Sequence, residues 1–211
     1  MVRSRKPAAT WTWVVEHEEG MDGFVAGAPV AVDMVEVLRR SGVFLPEGLD
    51  VQWNQDDVGS LGVDSRMTGV SGLTADSLVD RVLRARPQAY PLAEPTTLEI
   101  LGTGRWIAAD GTEKEEPGLL AVSVDVVHED TVVELGVHHD IWMENSFSGV
   151  PHPQIHALNA PRLREVLQSV EEQLGVETEP DGATALGTSF NYGVRAHRRP
   201  DGGPFDATRW L

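Results

Sequence analysis

The stretch covering residues 119–143, LLAVSVDVVHEDTVVELGVHHDIWM, decides the fold. Val122, Val124 and Val126 alternate with Ser123 and Asp125, and Val133, Leu135 and Val137 alternate with Glu134 and Gly136. A period of two over β-branched residues marks a strand that buries one face. A short turn at Glu129 and Asp130 would fold the two strands together, setting Leu120 against His139, Val122 against Val137, Val124 against Leu135 and Val126 against Val133. Both apolar faces then coincide, as a shared core requires. The other face carries Ser123, Asp125, Glu134, Gly136, His138, Asp140, Trp142 and Glu144.

Working outward, the hairpin strands are expected over residues 119–128 and 131–143, with further strands over 10–16, 49–54, 97–107 and 189–197. Three helices are expected. In the first, over 28–40, Ala31, Met34, Val35 and Leu38 form an apolar stripe, Pro29 suits the first turn and Gly42 the C-terminal cap. The second runs over 74–86 from Thr74 as N-cap, with Leu78, Val79, Val82 and Leu83 inward. The third starts at Asn159 as cap, carries Leu163, Val166, Leu167, Val170 and Leu174 on one stripe, and ends at Gly175. In that frame Arg162 and Arg164 oppose the helix dipole at its N-terminus, which either reflects loosely constrained surface charge or means that they pair with carboxylates elsewhere, in this chain or a second one. The glycine-rich run over 59–72, GSLGVDSRMTGVSG, lacks the P-loop and dinucleotide fingerprints and reads as a loop or a bulged hairpin. The sum is an α+β fold: a mainly antiparallel sheet of about six strands with three helices packed on one face.

The 211 residues suit a single α+β domain over 11–197, between a flexible basic N-terminal tail, 1–10, and a C-terminal tail, 198–211. LTADSLVD (73–80) and LNAPRLRE (158–165) share a Leu-x-Ala-x-x-Leu spacing, which two related strand-helix halves would produce but two ordinary amphipathic helices would too. The 33 Asp and Glu residues against 17 Lys and Arg give a net charge of −16, which repels phosphate backbones and anionic lipid heads. General nucleic-acid binding and docking on an acidic membrane are thereby disfavoured. With no Cys, disulfide scaffolds, thiolate zinc sites and Cys nucleophiles are excluded. No secretory leader or spanning segment is legible, so a cytoplasmic location is expected.

Charge and aromatic content together point to an acidic binding protein that engages a basic protein partner, as an inhibitor or an immunity protein for a bacterial toxin would. Trp53, Asp56 and Asp57 in VQWNQDD, and Trp142 and Glu144 in HHDIWME, are the candidate contacts: a partly exposed Trp beside carboxylates makes a hot spot for a cation-rich surface. No catalytic motif is present, and no cofactor is required by this reading.

The alternative is a metal-dependent hydrolase-like enzyme on the central hairpin. On a strand through residue 143, Glu134, His138 and Asp140 share a face, and the pairing above sets Asp125 opposite Glu134. Two opposed carboxylates need a cation, a proton or solvent between them, and His156 could close the site from a returning loop. Such a nitrogen and oxygen set suits Zn, Mn or Fe. The bland counterpart is that alternating acids decorate any solvated sheet face, with His139 a hydrogen-bonded core residue.

Overall fold

The residues that alternate in the sequence lie on opposite sides of one large sheet. In the computed structural model, which describes residues 1–18, 20–21, 23–127 and 130–211, the sheet is built from β1 (Ala9–Glu16), β2 (Phe44–Gln55), β3 (Gly59–Thr68), β4 (Glu94–Ile107), β5 (Glu113–Pro117), β6 (Leu120–Val127), β7 (Asp130–Val137) and β8 (Glu179–Pro180). The order is β3-β2-β4-β6-β7-β1-β8, with β5 on β4, and every pairing is antiparallel. A separate hairpin joins β9 (Thr188–Phe190) to β10 (Gly193–Arg195). The helices among the described residues are α1 (Gly23–Ser41), α2 (Ala75–Arg84) and α3 (Pro153–Leu174). None is long and apolar enough to cross a membrane.

The fold is therefore α+β with three helices, as the patterning implies, but the sheet has eight strands. The three additional ones are β3, β5 and β8. Two of them, EKEEP and EP, have no apolar alternation to betray them. The third arises from the glycine-rich run, which pairs with β2 through a register shift between Gln52 and Asn54, so the bulged-hairpin reading was the correct one of the two.

One face of the sheet is the core. Trp11 and Trp13, Leu49 and Val51, Leu98 and Ile100, Val122 and Val124, and Val133, Leu135 and Val137 point inward from successive strands. Against them α1 lays Ala31, Met34 and Leu38, and α2 and α3 pack beside α1. Thr74 caps α2, its hydroxyl accepting from Ser77 N–H while the Ser77 hydroxyl accepts from Thr74 N–H. Gly42 and Gly175, with φ of 65° and 68°, end α1 and α3 in the left-handed conformation that glycine adopts freely.

Several boundaries differ from expectation. The strand expected over 131–143 stops at Val137, and Asp140–Trp142 form a 3-10 turn. The strand expected over 189–197 is the β9–β10 hairpin, reversed at Asn191, a non-glycine residue with φ of 48°. Helix α1 begins at Gly23, so Pro29 lies inside it and not in its first turn. Helix α3 begins at Pro153 with His152 at its N-cap, which puts Asn159 in the interior. Asn159 there is fully buried: its Oδ1 accepts from Ile107 N–H, and its Nδ2 donates to Ile107 and Ile155 carbonyls. Consequently Arg162 and Arg164 are mid-helix and oppose no dipole; the Arg162 guanidinium donates to the carbonyls of Arg105 and Gly42, tying α3 to β4 and to the end of α1, and lies 3.9 Å from the Glu113 carboxylate, as the pairing alternative expects. Leu73 precedes a helix cap whereas Leu158 is inside α3, so the two similar octapeptides occupy different structural positions.

Neither terminus hangs as a free tail. Ser4 is buried and its N–H donates to His138 O, Arg3 bridges His139, and Ala207 is buried with its N–H on Phe147 O. These attachments are made by backbone groups, which leave no hydrophobic period to read.

Candidate functional site

The side of the sheet away from the helices is the larger chemical surface. Strand pairing places Arg66, Asp50, Glu99, Ser123, Glu134, Thr12 and Glu179 in one row across seven strands. A second row runs through Asp64, Gln52, Thr97, Asp125, Val132 and Val14. The two rows hold six carboxylates and one guanidinium. Arg66 is fully committed to Asp50, with Nη2 2.6 Å from Oδ2 and Nε 2.8 Å from Oδ1, and holds that carboxyl below the ordinary aspartate range. Asp125 accepts from the Thr97 hydroxyl at 2.5 Å, and Glu99 from Gln52 Nε2 at 3.1 Å, both neutral donors. Among the described residues Glu134 has no cation beside it: burial, then the charges of Asp181 and Asp125, push its carboxyl above the ordinary glutamate range. Val14 and Val132 face each other in the middle of this acidic field, Val14 exposed.

The β6–β7 register explains part of this. Val122 pairs with Leu135 and Val124 with Val133, a shift of two residues from the expected alignment, so Glu134 faces Ser123 and Asp125 faces Val132. A shift of two leaves every side chain on its own face, so the apolar pattern is equally satisfied by either alignment and only the turn chooses. Of the expected turn, Glu129 lies outside the described residues, as does His128 from the strand expected over 119–128; Asp130 belongs to β7, paired with Val127.

The five residues singled out for metal chemistry do not share a site. Asp125 and Glu134 stand on the open face. His138 follows the end of β7, its Nδ1 3.3 Å from Ser4 O, and burial lowers its pKa. Asp140 is fully buried, accepting from Val2 and Phe147 N–H groups with His139 Nδ1 3.1 Å away. His156 sits on α3, in the helix layer, lining a cavity with Glu144. The strand geometry expected to align Glu134, His138 and Asp140 ends at Val137, which is why they diverge. Among the described residues no group of three or more His, Asp or Glu side chains is arranged to hold a metal.

The candidate partner contacts are also redistributed. Trp53 is buried, its indole N–H donating to the Ser65 hydroxyl, and Trp142 is buried under α3. The expected partial exposure of both is thus corrected: on β2 and on the 3-10 turn each faces the apolar interior, where a large aromatic contributes most. Asp56 and Asp57 are exposed at the β2–β3 turn, and Glu144 is exposed with Arg198 3.1 Å from it.

Comparison with family models, curated proteins and solved structures finds no match for this chain. Its chemistry therefore has to be read from its own surfaces.

A second surface escaped the sequence reading altogether. Between α3 and the β9–β10 hairpin lies a cavity of about 670 Å³ whose wall includes Arg164, Arg195 and Arg198. The residues His156, Ala160, Arg164 and Gln168 follow one another at a spacing of four, one stripe of a helix, and that spacing was visible in the sequence. What hid it was the assignment of the helix start to Asn159 and of the facing hairpin to one strand.

Proposed function

We propose that the chain is a binding protein whose open, acidic sheet face engages a basic protein partner. The observation that supports this is the pair of cross-strand rows on the side away from the helices, where Asp64, Glu99, Asp125, Glu134 and Glu179 have no ion pair among the described residues. Like charges held together by a fixed sheet cost free energy that an incoming Lys- or Arg-rich surface relieves, and the same field speeds encounter. The Val14–Val132 pair supplies an apolar centre that the buried Trp53 and Trp142 cannot. An inhibitor of a basic enzyme, an immunity protein for a bacterial toxin included, would present such a face.

The test is capture from a native lysate at low salt with three baits. They are the wild type, the open-face variant Glu99→Gln/Asp125→Asn/Glu134→Gln, and a helix-side variant Asp80→Asn/Glu165→Gln/Glu172→Gln with the same net charge. A basic protein retained by the first and third, lost by the second and released by salt supports the reading. Absence of any retained basic protein, or equal loss from both variants, overturns it.

A further inference from the structure

The cavity between α3 and the β9–β10 hairpin has a character opposite to the rest of the chain. Arg164 projects from α3 with no carboxylate and no hydrogen-bond acceptor beside it among the described residues. On the facing wall the Arg195 guanidinium lies 3.9 Å from the centroid of the Phe190 ring, also without a carboxylate partner. Arg198 is matched by Glu144 at 3.1 Å, so the single acid in the wall is already neutralised and does not oppose an anion. In a protein with nearly twice as many acids as bases, two unmatched arginines sharing one cavity are not explained by surface charge balance.

The rest of the wall combines apolar and aromatic residues, Trp142, Ala160, Phe190, Tyr192 and Val194 among them, with the polar Gln168 and Asn191. Phe190 is half-exposed, and Trp142 is fully buried. The hairpin wall is held in place from behind, because Trp11 Nε1 donates to Asn191 O at 2.6 Å and the Tyr192 hydroxyl donates to Glu171 on α3 at 2.9 Å. The site is thus pre-formed, and its volume is that of a small-molecule cavity.

We propose that this cavity binds a small organic anion: an aromatic ring carrying a carboxylate or phosphate group. Arg164 and Arg195 take the oxyanion from opposite walls, their planar forks suited to bidentate contact. The ring lies among Phe190, Tyr192 and Ala160. His156, whose pKa burial lowers, is neutral at pH 7 and serves as a hydrogen-bonding group without adding charge. This site is on the helix side and does not depend on the acidic sheet face.

Isothermal titration with phenyl phosphate, benzoate, inorganic phosphate and benzyl alcohol tests the proposal. At least one aromatic anion is expected to bind saturably with one site per chain, more tightly than inorganic phosphate or the neutral alcohol. Arg164→Gln/Arg195→Gln, with melting checked against wild type, is expected to weaken that binding by about tenfold or more. Arg39→Gln/Arg84→Gln, which removes the same charge from exposed positions on α1 and α2, is expected to leave it unchanged. No saturable binding of either aromatic anion, equal affinity for inorganic phosphate or benzyl alcohol, or equal loss in both double variants overturns it. The two carboxylate and phosphate probes also tell which head group the arginines prefer.

Discussion

Asp140 carries a carboxylate with no solvent exposure, and its environment is defined by the N–H groups of the distant Val2 and of Phe147 and by the imidazole of the adjacent His139. Burial alone would raise its pKa. The His139 contact and the two backbone donors outweigh that and leave it below the ordinary aspartate value of 3.8. A lowered carboxyl pKa stabilises the fold above the unfolded value, and the contribution is lost as pH falls through the folded value. Asp140→Asn should therefore cost about 1–3 kcal/mol in urea denaturation at neutral pH, because one backbone donor loses a charged acceptor. The difference from wild type should shrink as pH drops below 3.8. A constant difference across that range would show that packing, not charge, holds this corner. The same residue shows why individual roles were hard to read. An Asp beside two His residues suggests a ligand, but its partner Val2 lies 138 positions away. Asn159 is a second example: Asn suits an N-cap by local chemistry, and here it satisfies Ile107 of β4 instead.

At the scale of elements, apolar period was sufficient for the three helices, the five strands β1, β2, β4, β6 and β7, and the side of the hairpin that faces the core. It failed where period carries no information. A two-residue slip between β6 and β7 preserves every face, and short charged strands such as β5 follow their neighbours by backbone pairing alone. Pro29 misled for a related reason, being read as a first-turn residue. Pro29 and Pro161 both sit inside helices, where a boundary would be the usual reading. Pro161 is exposed, removes the N–H that would reach the Ala157 carbonyl, and crowds that carbonyl with its ring. Replacing it with Ala should stabilise the chain by about 1–3 kcal/mol, less than the full helix-propensity difference because the proline also restricts the unfolded state. A urea midpoint that stays put or falls would mean that the ring makes contacts worth more than the missing hydrogen bond.

For the whole molecule, the decisive asymmetry is that one sheet face is covered by helices and the other is left to carboxylates. The net charge of −16 was legible from composition, but its concentration into cross-strand rows was not, since it depends on which strands are neighbours. Glu134 reports the strain of that arrangement. Its raised pKa means that the folded state binds its proton more tightly than the unfolded state, so ionisation destabilises the fold. The penalty is complete above the folded value, is relieved as pH falls through it, and is gone below the ordinary value of 4.5. This is the opposite sign to Asp140. Glu134→Gln should accordingly raise the melting temperature at neutral pH, by an amount that solvent screening keeps modest, and the gain should vanish below pH 4.5. Added salt should raise the melting temperature of wild type more than that of the variant, because screening relieves the same repulsion from Asp125 and Asp181. A basic partner docked on this face would relieve it too, so in its presence the advantage of the variant should disappear. If Glu134→Gln instead melts lower than wild type at neutral pH, the carboxylate is stabilising where it stands, and the sheet face is not held under charge repulsion.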